Sequence, residues 1–351
     1  MSSHTPLASV LLGSLFCATA LLGQQPMQPD APASAPPSRR IYLDVVVTPK
    51  SGKPVAGLQQ SDFTIVDNKA ERPITTFAAF TGNQAPINIV LLIDAVNTDF
   101  TNLSYEREQI DKFLRANEGH LAHPMSLAIF TDTSTQFQPE YTTDGNALSA
   151  SLDQSEIGLR EIRRSAGVYG AEDKFNLSLT ALHALVTKLV AQPGRKIVLW
   201  VSPGWPYLSG TRIDLDSKQQ RQIFSDVTNT STMLRQGNIT IYSVDPHGSG
   251  SGVAYESYYE EFLKGVTKPE QTQLGNLALQ VLAVQSGGFA LSASNDISGQ
   301  LDRCIADLQA FYRLSFDPPP AEHPDEYHQL QIKLAKPGLT ARTRTGYYAQ
   351  P

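Results

Sequence analysis

Two oxygen-bearing side chains follow a long apolar run and could together hold a metal ion. The run is INIVLLID, which ends at Asp94, and Thr98 comes four residues later, directly after Asn97. A carboxylate and a neutral hydroxyl are hard oxygen ligands of the kind that Mg²⁺ and Mn²⁺ take in proteins. Asp94, Asn97 and Thr98 are therefore the first candidates for binding chemistry in this chain.

The apolar run has the composition of a buried strand, and the segments after it alternate between strand and helix patterns. Further strand patterns are MSLAIFTD, TQFQPEYT, KIVLWVS, NITIYSVDP and FALSA. Helical spacing of apolar residues lies between them, most clearly from about Glu172 to Ala191. This alternation predicts an α/β domain over residues 86–310, with a doubly wound, mainly parallel, Rossmann-like sheet. Such sheets bind ligands at the carboxyl ends of their strands, where Asp94 is expected.

The segments on either side of 86–310 have short strand patterns and no helical period. Residues 39–82 contain three of these patterns, and residues 311–351 contain three more that alternate apolar and polar side chains. About three strands on each side are too few to be stable alone. We therefore expect the N- and C-terminal strands to pack together in one small β domain.

The first 38 residues lack the pattern of a folded domain. Residues 1–23 contain an apolar stretch followed by small residues, which predicts a secretory signal peptide, with an uncleaved N-terminal anchor as the alternative. Residues 24–38 are rich in Pro, Ala and Gln and are typical of a linker. We expect an exported protein, periplasmic or extracellular, with no integral membrane span after signal cleavage.

Composition and motifs favour a binding protein over an enzyme. The net charge is −6 and no basic stripe is visible, which argues against nucleic acid as a partner. The sequence has no G-x-S-x-G, no H-E-x-x-H and no phosphate-binding Gly-rich loop after the first strand of the α/β domain. A hydrolase with an unrecognised site is the least favoured alternative.

Several segments together resemble the von Willebrand factor A domain, and more narrowly the von Willebrand factor A-related proteins of the acidobacterial type. These segments are INIVLLIDAVNT, FNLSLTALHALV, PGRKIVLWVSPGWP, ITIYSVDP, LAVQSGGFAL and the ending FYRLSF…YHQLQIKLAKPGLTARTRTGYY. The resemblance covers nearly the whole chain after the signal. It implies a bacterial protein with a von Willebrand A-like sheet and a role in protein binding or cell adhesion.

The resemblance also implies a metal-ion-dependent adhesion site, which this sequence carries in degenerate form. The family pattern is Asp-x-Ser-x-Ser after the first strand, a Thr from a second loop and an Asp after a later strand. Asp94 matches the first position and Thr98 the second Ser, whereas Val96 stands at the first Ser and has no oxygen. The second loop offers Asp173, and Ser202 replaces the later Asp. Candidate metal ligands are thus Asp94, Thr98, Asp173 and Ser202, with Mg²⁺ or Mn²⁺ or no cofactor at all.

Two interpretations of this edge of the sheet remain open at the level of sequence. Asp94 either belongs to a rearranged metal site or orders its loop by accepting backbone N–H bonds. Aromatic residues in the later loops, Trp205, Tyr207 and Tyr255, could anchor a partner next to Asn97. A Trp in a Pro/Gly loop can equally pack that loop onto the domain.

The sequence therefore predicts an exported, non-enzymatic protein of the adhesion type. It would bind an unidentified protein partner through the top of a von Willebrand A-like sheet. The alternative is a structural subunit of a cell-envelope assembly with no metal or ligand site.

Overall fold

The computed structural model describes residues 39–50, 52–98, 100–155, 168–205, 215–247, 258–292 and 294–351. The predicted signal peptide and linker lie outside these residues, as do Tyr207 and Tyr255.

The helices are α1 (Phe100–Leu114), α2 (Gly145–Gln154), α3 (Val168–Val190), α4 (Ser217–Gln236), α5 (Leu279–Gln285) and α6 (Ile297–Ala306). The strands are β1 (Ile41–Pro49), β2 (Phe63–Asp67), β3 (Ala70–Arg72), β4 (Thr76–Thr81), β5 (Ile87–Asp94), β6 (His120–Phe130), β7 (Thr135–Phe137), β8 (Thr142–Asp144), β9 (Arg195–Val201), β10 (Ile239–Val244), β11 (Ala290–Leu291), β12 (Ala310–Phe316), β13 (Glu326–Leu334), β14 (Leu339–Arg342) and β15 (Gly346–Ala349).

The largest sheet is mainly parallel, as the alternation of strand and helix patterns predicts. Its order is β11-β10-β9-β5-β6-β7, with β8 also paired to β6. The strands from β11 to β6 are parallel to their neighbours, whereas β7 and β8 run antiparallel to β6 at the edge. β5 lies in the middle, so its last residue, Asp94, sits centrally at the carboxyl edge.

The central strand is apolar throughout because both of its faces are covered. Ile89 and Leu91 face a cluster that includes Ile110 of α1 and Leu301 of α6. Val90 and Leu92 face a second cluster, which contains residues of α3, α4 and α5. Alternate residues of a strand point to opposite faces, so a strand between two helical layers reads as an unbroken apolar run.

The N-terminal and C-terminal strands pair with each other in two antiparallel sheets. One sheet has the order β14-β1-β12-β4 and the other β15-β13-β2-β3. Their inner faces share one hydrophobic cluster, to which β1 and β12 contribute most. The N-terminal and C-terminal segments thus depend on each other, because each supplies strands to which the other forms hydrogen bonds.

Some element boundaries differ from the sequence-based expectation. β3 and α2 were not expected, and α3 begins at Val168 rather than near Glu172. The ending LTARTRTGYY forms two strands, β14 and β15, which belong to different sheets. Between these strands the backbone N–H of Thr345 pairs with no strand and donates instead to the carbonyl oxygen of Gln285. A sequence pattern of period two cannot show such a change of sheet.

A buried ion-pair cluster joins β1 and β12 to the start of β9. Asp44 lies opposite Arg313 in the β1–β12 register and accepts from its Nε at 2.8 Å and its Nη2 at 3.2 Å. Arg195 Nε lies 3.2 Å from Asp44 Oδ2, the oxygen that Arg313 Nη2 also contacts, and the Arg195 guanidinium stacks on the Phe311 ring at 4.4 Å. Arg195 is only 2% exposed, so Asp44 is the carboxylate that compensates a buried charge.

Within the described ranges, no helix is both long enough and apolar enough to cross a membrane. Cys304, the one cysteine in that part of the chain, lies buried on α6, where burial raises the pKa of its thiol well above the ordinary value. Its position in the core matches a small apolar side chain rather than a reactive thiol.

Replacing Asp44 by Asn should destabilise the protein strongly. The change leaves the buried Arg195 without its carboxylate, for which we expect a loss of about 3 kcal/mol in the free energy of unfolding. The measurement is denaturant unfolding of wild type and Asp44→Asn.

Asp317→Asn is the matched control. Asp317 pairs with Arg40 in the same bidentate manner, but its side chain is 58% exposed. This variant should unfold at nearly the wild-type denaturant midpoint. If the two substitutions lower the free energy of unfolding equally, burial is not the reason that the Asp44 ion pairs stabilise the protein.

Candidate functional site

The strand register brings two of the predicted site residues together. Ile93 of β5 lies beside Val201 of β9, so the next residues, Asp94 and Ser202, are neighbours at the carboxyl edge of the sheet. The Ser202 hydroxyl donates to Asp94 Oδ2 at 2.8 Å. Both side chains are fully buried.

The Asp94 carboxylate accepts five hydrogen bonds from the protein. Oδ1 accepts from the backbone N–H groups of Val96 at 3.0 Å and Asn97 at 2.9 Å. Oδ2 accepts from Asn97 Nδ2 at 2.8 Å, from the Ser202 hydroxyl and, at 3.4 Å, from Trp200 Nε1. A carboxylate has about four lone-pair positions, so this one is saturated with donors.

The donors of Asp94 are themselves held by neighbouring elements. Asn97 Nδ2 also donates to the Ser178 hydroxyl on α3 at 3.0 Å, and that hydroxyl donates to the carbonyl oxygen of Lys174. The Ser202 oxygen accepts from the backbone N–H of Gly204 at 3.1 Å. One carboxylate thereby connects the loop after β5, the loop after β9 and helix α3.

The loop after β9 is packed down by aromatic rings. Trp205 is 3% exposed and lies edge-on to Trp200 and to Phe175 of α3. The loop needs glycine at Gly204, where φ is +94° and a Cβ atom would lie 2.4 Å from Gln280 Nε2. Of the two alternatives that the sequence left open for Trp205, the structure shows the one in which the ring packs its loop onto the domain. Trp205 does not form an exposed anchor.

Glu106 of α1 is a second buried acid at this edge. It is 0% exposed, and neither carboxylate oxygen has a hydrogen-bond partner among the described residues. Burial raises the pKa of Glu106 well above its ordinary value, and the negative charges of Asp94 and Asp245 raise it further. The nearby Thr98 hydroxyl lowers the pKa, although it makes no hydrogen bond of regular geometry with Glu106.

Burial also raises the pKa of Asp94, but its donors oppose that shift. The hydrogen bonds from Asn97, Ser202 and Val96 each lower the pKa because they stabilise the ionised form. Asp94 and Glu106 therefore differ in kind. The first is a buried acid surrounded by N–H and O–H donors, and the second has only the Thr98 hydroxyl acting on it.

The other predicted ligands do not converge on Asp94. Thr98 is buried with its hydroxyl unpartnered, Val96 packs in the apolar cluster beside α3, and Asp173 is exposed on α3. Ser178, about one and a half turns beyond Asp173 on α3, is the residue of that helix that joins the Asp94 network, through its hydrogen bond with Asn97.

The metal site that the resemblance implies does not fit this arrangement. Every oxygen of Asp94 faces N–H or O–H groups, and the Asn97 amide nitrogen points at the carboxylate where a cation would need an acceptor. The Ser202 hydroxyl donates its proton to Asp94, and Asp173 is exposed on α3. In the parts of the chain that the structure describes, no three His, Cys, Asp or Glu residues are grouped as metal ligands.

The predicted partner-binding residues are not surface residues where the structure describes them. Asn97 is 8% exposed and is engaged by Asp94 and Ser178, and Trp205 is buried. Tyr207 and Tyr255 fall outside the described residues.

Sequence reasoning missed Glu106, Ser178 and Trp200. A signal for Glu106 was present, because it lies between Leu103 and Ile110 on the face of α1 that enters the core. A charged residue on the apolar face of a helix is seldom buried without a partner. Ser178 and Trp200 become visible as site residues only through the packing of α3 and β9 against β5.

Comparisons with known proteins give weak likenesses. No model of a known protein family matches the chain, and no curated protein matches it. Among solved structures it is similar to the PilB minor pilin from Streptococcus sanguinis, with a TM-score of 0.38, 13% identity and coverage of 65% of this chain and 63% of the pilin. It is also similar to the SpaC pilus adhesin from Lactobacillus rhamnosus GG, with a TM-score of 0.35, 8% identity and coverage of 83% of this chain and 49% of the adhesin.

A third solved structure is the VWA domain of SpRpn10, with a TM-score of 0.27 and 13% identity. The match covers 63% of this chain and 96% of that domain. The chain spans less than two thirds of the pilin and of the adhesin. At these scores no conclusion about this chain follows from the likenesses.

Asp94→Asn should destabilise the protein by about 3 kcal/mol, because an amide nitrogen would replace one of two saturated acceptors and face other donors. The measurement is denaturant unfolding, with tryptophan fluorescence as the probe because Trp200 and Trp205 both pack at the site.

Asp173→Asn is the control of identical chemistry at the exposed position on α3. We expect it to unfold like wild type. If Asp94→Asn also unfolds like wild type, the carboxylate does not hold the loops in place.

Proposed function

We propose that this chain is an exported, non-enzymatic binding protein with a von Willebrand A-like domain. It would engage a protein partner through the carboxyl edge of the mainly parallel sheet. Export is supported by the signal-like pattern of residues 1–23. The proposal assigns no metal to Asp94.

The observation that supports this proposal is that the protein itself occupies every acceptor position of Asp94. A carboxylate that accepts five bonds from its own protein is not available to a substrate or an ion. Its effect is to fix the two loops that follow the central strands. Loops held in one conformation lose little entropy on binding, which favours a recognition surface.

The surface that we propose is the rim, defined as the loops 95–98, 131–134, 202–205 and 245–247 together with the adjoining first half of α1. Four neighbouring parallel strands end in these loops, so the loops lie along one edge. Ligands of open α/β sheets bind outside the carboxyl ends of the strands. The buried side chains of Asp94, Asn97 and Trp205 hold the loops of the rim in place.

Tyr105 is an aromatic residue that the rim presents to solvent. It is 40% exposed on α1, and its hydroxyl donates to the carbonyl oxygen of Asn295 at 2.7 Å. An aromatic ring held in place by a hydrogen bond has the character of an interface anchor. It takes the role that the sequence had suggested for Trp205.

The experiment is site-specific photocrosslinking with the full chain. A photoreactive phenylalanine analogue replaces Tyr105, and the protein is irradiated with envelope and culture fractions of the native host. We expect one dominant protein adduct, which mass spectrometry identifies.

The matched control places the same analogue at Tyr42, which is 50% exposed on β1 of the small β sandwich. The adduct from position 105 should exceed that from position 42 by at least about tenfold, because only a residue at the interface lies within reach of the partner. Equal adducts at both positions, or an adduct only at position 42, would place the partner surface elsewhere.

A further inference from the structure

The amino end of the parallel sheet, opposite the rim, gathers buried positive charge around one carboxylate. Arg195, at the start of β9, and Arg313 of β12 both contact the side chain of Asp44. Burial lowers the pKa of Lys196, and the charge of Arg313 lowers it further. Burial and the charge of Arg195 act in the same direction on His123. Asp44 therefore lies among more cations than a single carboxylate compensates.

Arg344 is a buried arginine of this region that has no partner. It lies between β14 and β15, is 7% exposed, and takes part in none of the side-chain hydrogen bonds or ion pairs among the described residues. Arginine is almost never buried unless it is paired. Burial lowers the pKa of Arg344 to about 10, so this side chain keeps its charge at neutral pH. Asp44 attracts it only at longer range and is already engaged by Arg195 and Arg313.

Helix α4 brings a second guanidinium, that of Arg235, to the same place. The helix packs against β15, where the ring of Phe224 lies edge-on to Tyr348 at 6.2 Å. Arg235 follows Phe224 by about three helical turns and therefore lies on the same face of α4. The two arginines are close enough for the charge of Arg235 to lower the pKa of Arg344. No carboxylate of the described residues forms an ion pair with Arg235, and its Nε is buried without a hydrogen-bond partner.

The two guanidinium groups are accessible to a small solute. Of their nitrogen atoms, only Arg235 Nε is both shielded from water and without a partner, so the other nitrogens reach solvent. The exposed part of Arg344 is small, which leaves little for a large ligand to contact. A small ion can still approach both groups.

We propose that Arg235 and Arg344 together bind a small oxyanion with two negative charges, of the phosphate or sulfate type. A guanidinium presents pairs of N–H donors in one plane, which match two oxygens of such an anion. Two negative charges would balance the two arginines, whereas a chloride ion would balance one. The anion would join the C-terminal end of α4 to the segment before β15 and so fasten the α/β domain to the β sandwich.

This site lies at the opposite end of the sheet from the rim. Helix α4 ends just before β10 begins, so Arg235 lies at the amino ends of the parallel strands, whereas the rim is formed at their carboxyl ends. The anion would contact no residue of the Asp94 network. Crosslinking from position 105 and anion binding therefore succeed or fail independently of each other.

The test is thermal unfolding and calorimetric titration of the full chain in a chloride buffer, with sodium phosphate or sodium sulfate added at constant ionic strength. The Tm of wild type should rise and then level off, because a ligand that binds the folded state stabilises it until the site is saturated. Phosphate and sulfate also stabilise proteins by exclusion from their surface, but that effect does not saturate at a single site. Calorimetry should show saturable binding of a single anion.

Arg344→Gln should weaken phosphate binding at least about tenfold, because it removes charge-assisted hydrogen bonds to the anion. Arg235→Gln should do the same, and it decides the question if Arg344→Gln does not fold. Arg221→Gln is the matched control, since Arg221 is exposed on the same helix. This control should bind phosphate like wild type.

Three results would overturn the proposal. One is a wild-type Tm that rises without saturation, and another is equal phosphate binding by wild type, Arg344→Gln and Arg235→Gln. The third is a loss of binding in Arg221→Gln as large as in Arg344→Gln, which would show an effect of general charge.

Glycerol 3-phosphate, a phosphate monoester, is titrated in parallel to identify the source of the anion. Inorganic phosphate should bind more tightly, because so little of Arg344 is exposed to a larger ligand. Tighter binding of the ester that Arg344→Gln abolishes would still support the site and would identify a phosphate ester as its ligand.

Discussion

The rim of this protein depends on one buried carboxylate. Asp94 stands at the end of the central strand, 0% exposed, and accepts five hydrogen bonds from the loops and strand beside it. Burying a carboxylate is unfavourable unless its hydrogen bonds are replaced, and here they are replaced by donors from two loops. The loops after β5 and β9 therefore have one arrangement that satisfies Asp94, and the surrounding packing follows from it. Trp205 covers the network, α3 supplies Ser178, and Gly204 allows the close approach of Gln280.

The same edge shows how one fold treats two buried acids differently. Asp94 has donors on both oxygens, whereas Glu106 makes no hydrogen bond of regular geometry and lies within the fields of Asp94 and Asp245. The first acid stabilises its loops, whereas burial raises the pKa of the second and favours its neutral form.

Much of the architecture was visible in the sequence because it follows from period and composition. The alternation of apolar runs with helical spacing gave the mainly parallel sheet, and the apolar run before Asp94 gave its central strand. The neighbourhood of Asp94 and Ser202 was expected from the family resemblance, and the strand register brings the two residues together. The detailed site was not expected, because hydrogen-bond partners depend on how α3 and β9 pack against β5. Asn97 was expected at a partner surface and Trp205 either there or packed onto the domain, and packing places both inside. Arg195 and Asp44 gave no sequence signal at all, since Asp44 lies on β1 and Arg195 on β9, two strands of different sheets that meet only in the folded protein.

The account depends most directly on the claim that Asp94 holds its loops in one conformation, and hydrogen exchange of backbone amides measures this. The N–H groups of Val96 and Asn97 donate to Asp94 Oδ1, and that of Gly204 donates to Ser202, so all three should exchange as slowly as amides of the neighbouring strands. Their protection should persist in chelator, because no metal is needed to hold them. Exchange of these amides at the rate of an unstructured loop would contradict the account, since the carboxylate would then not be holding the loops.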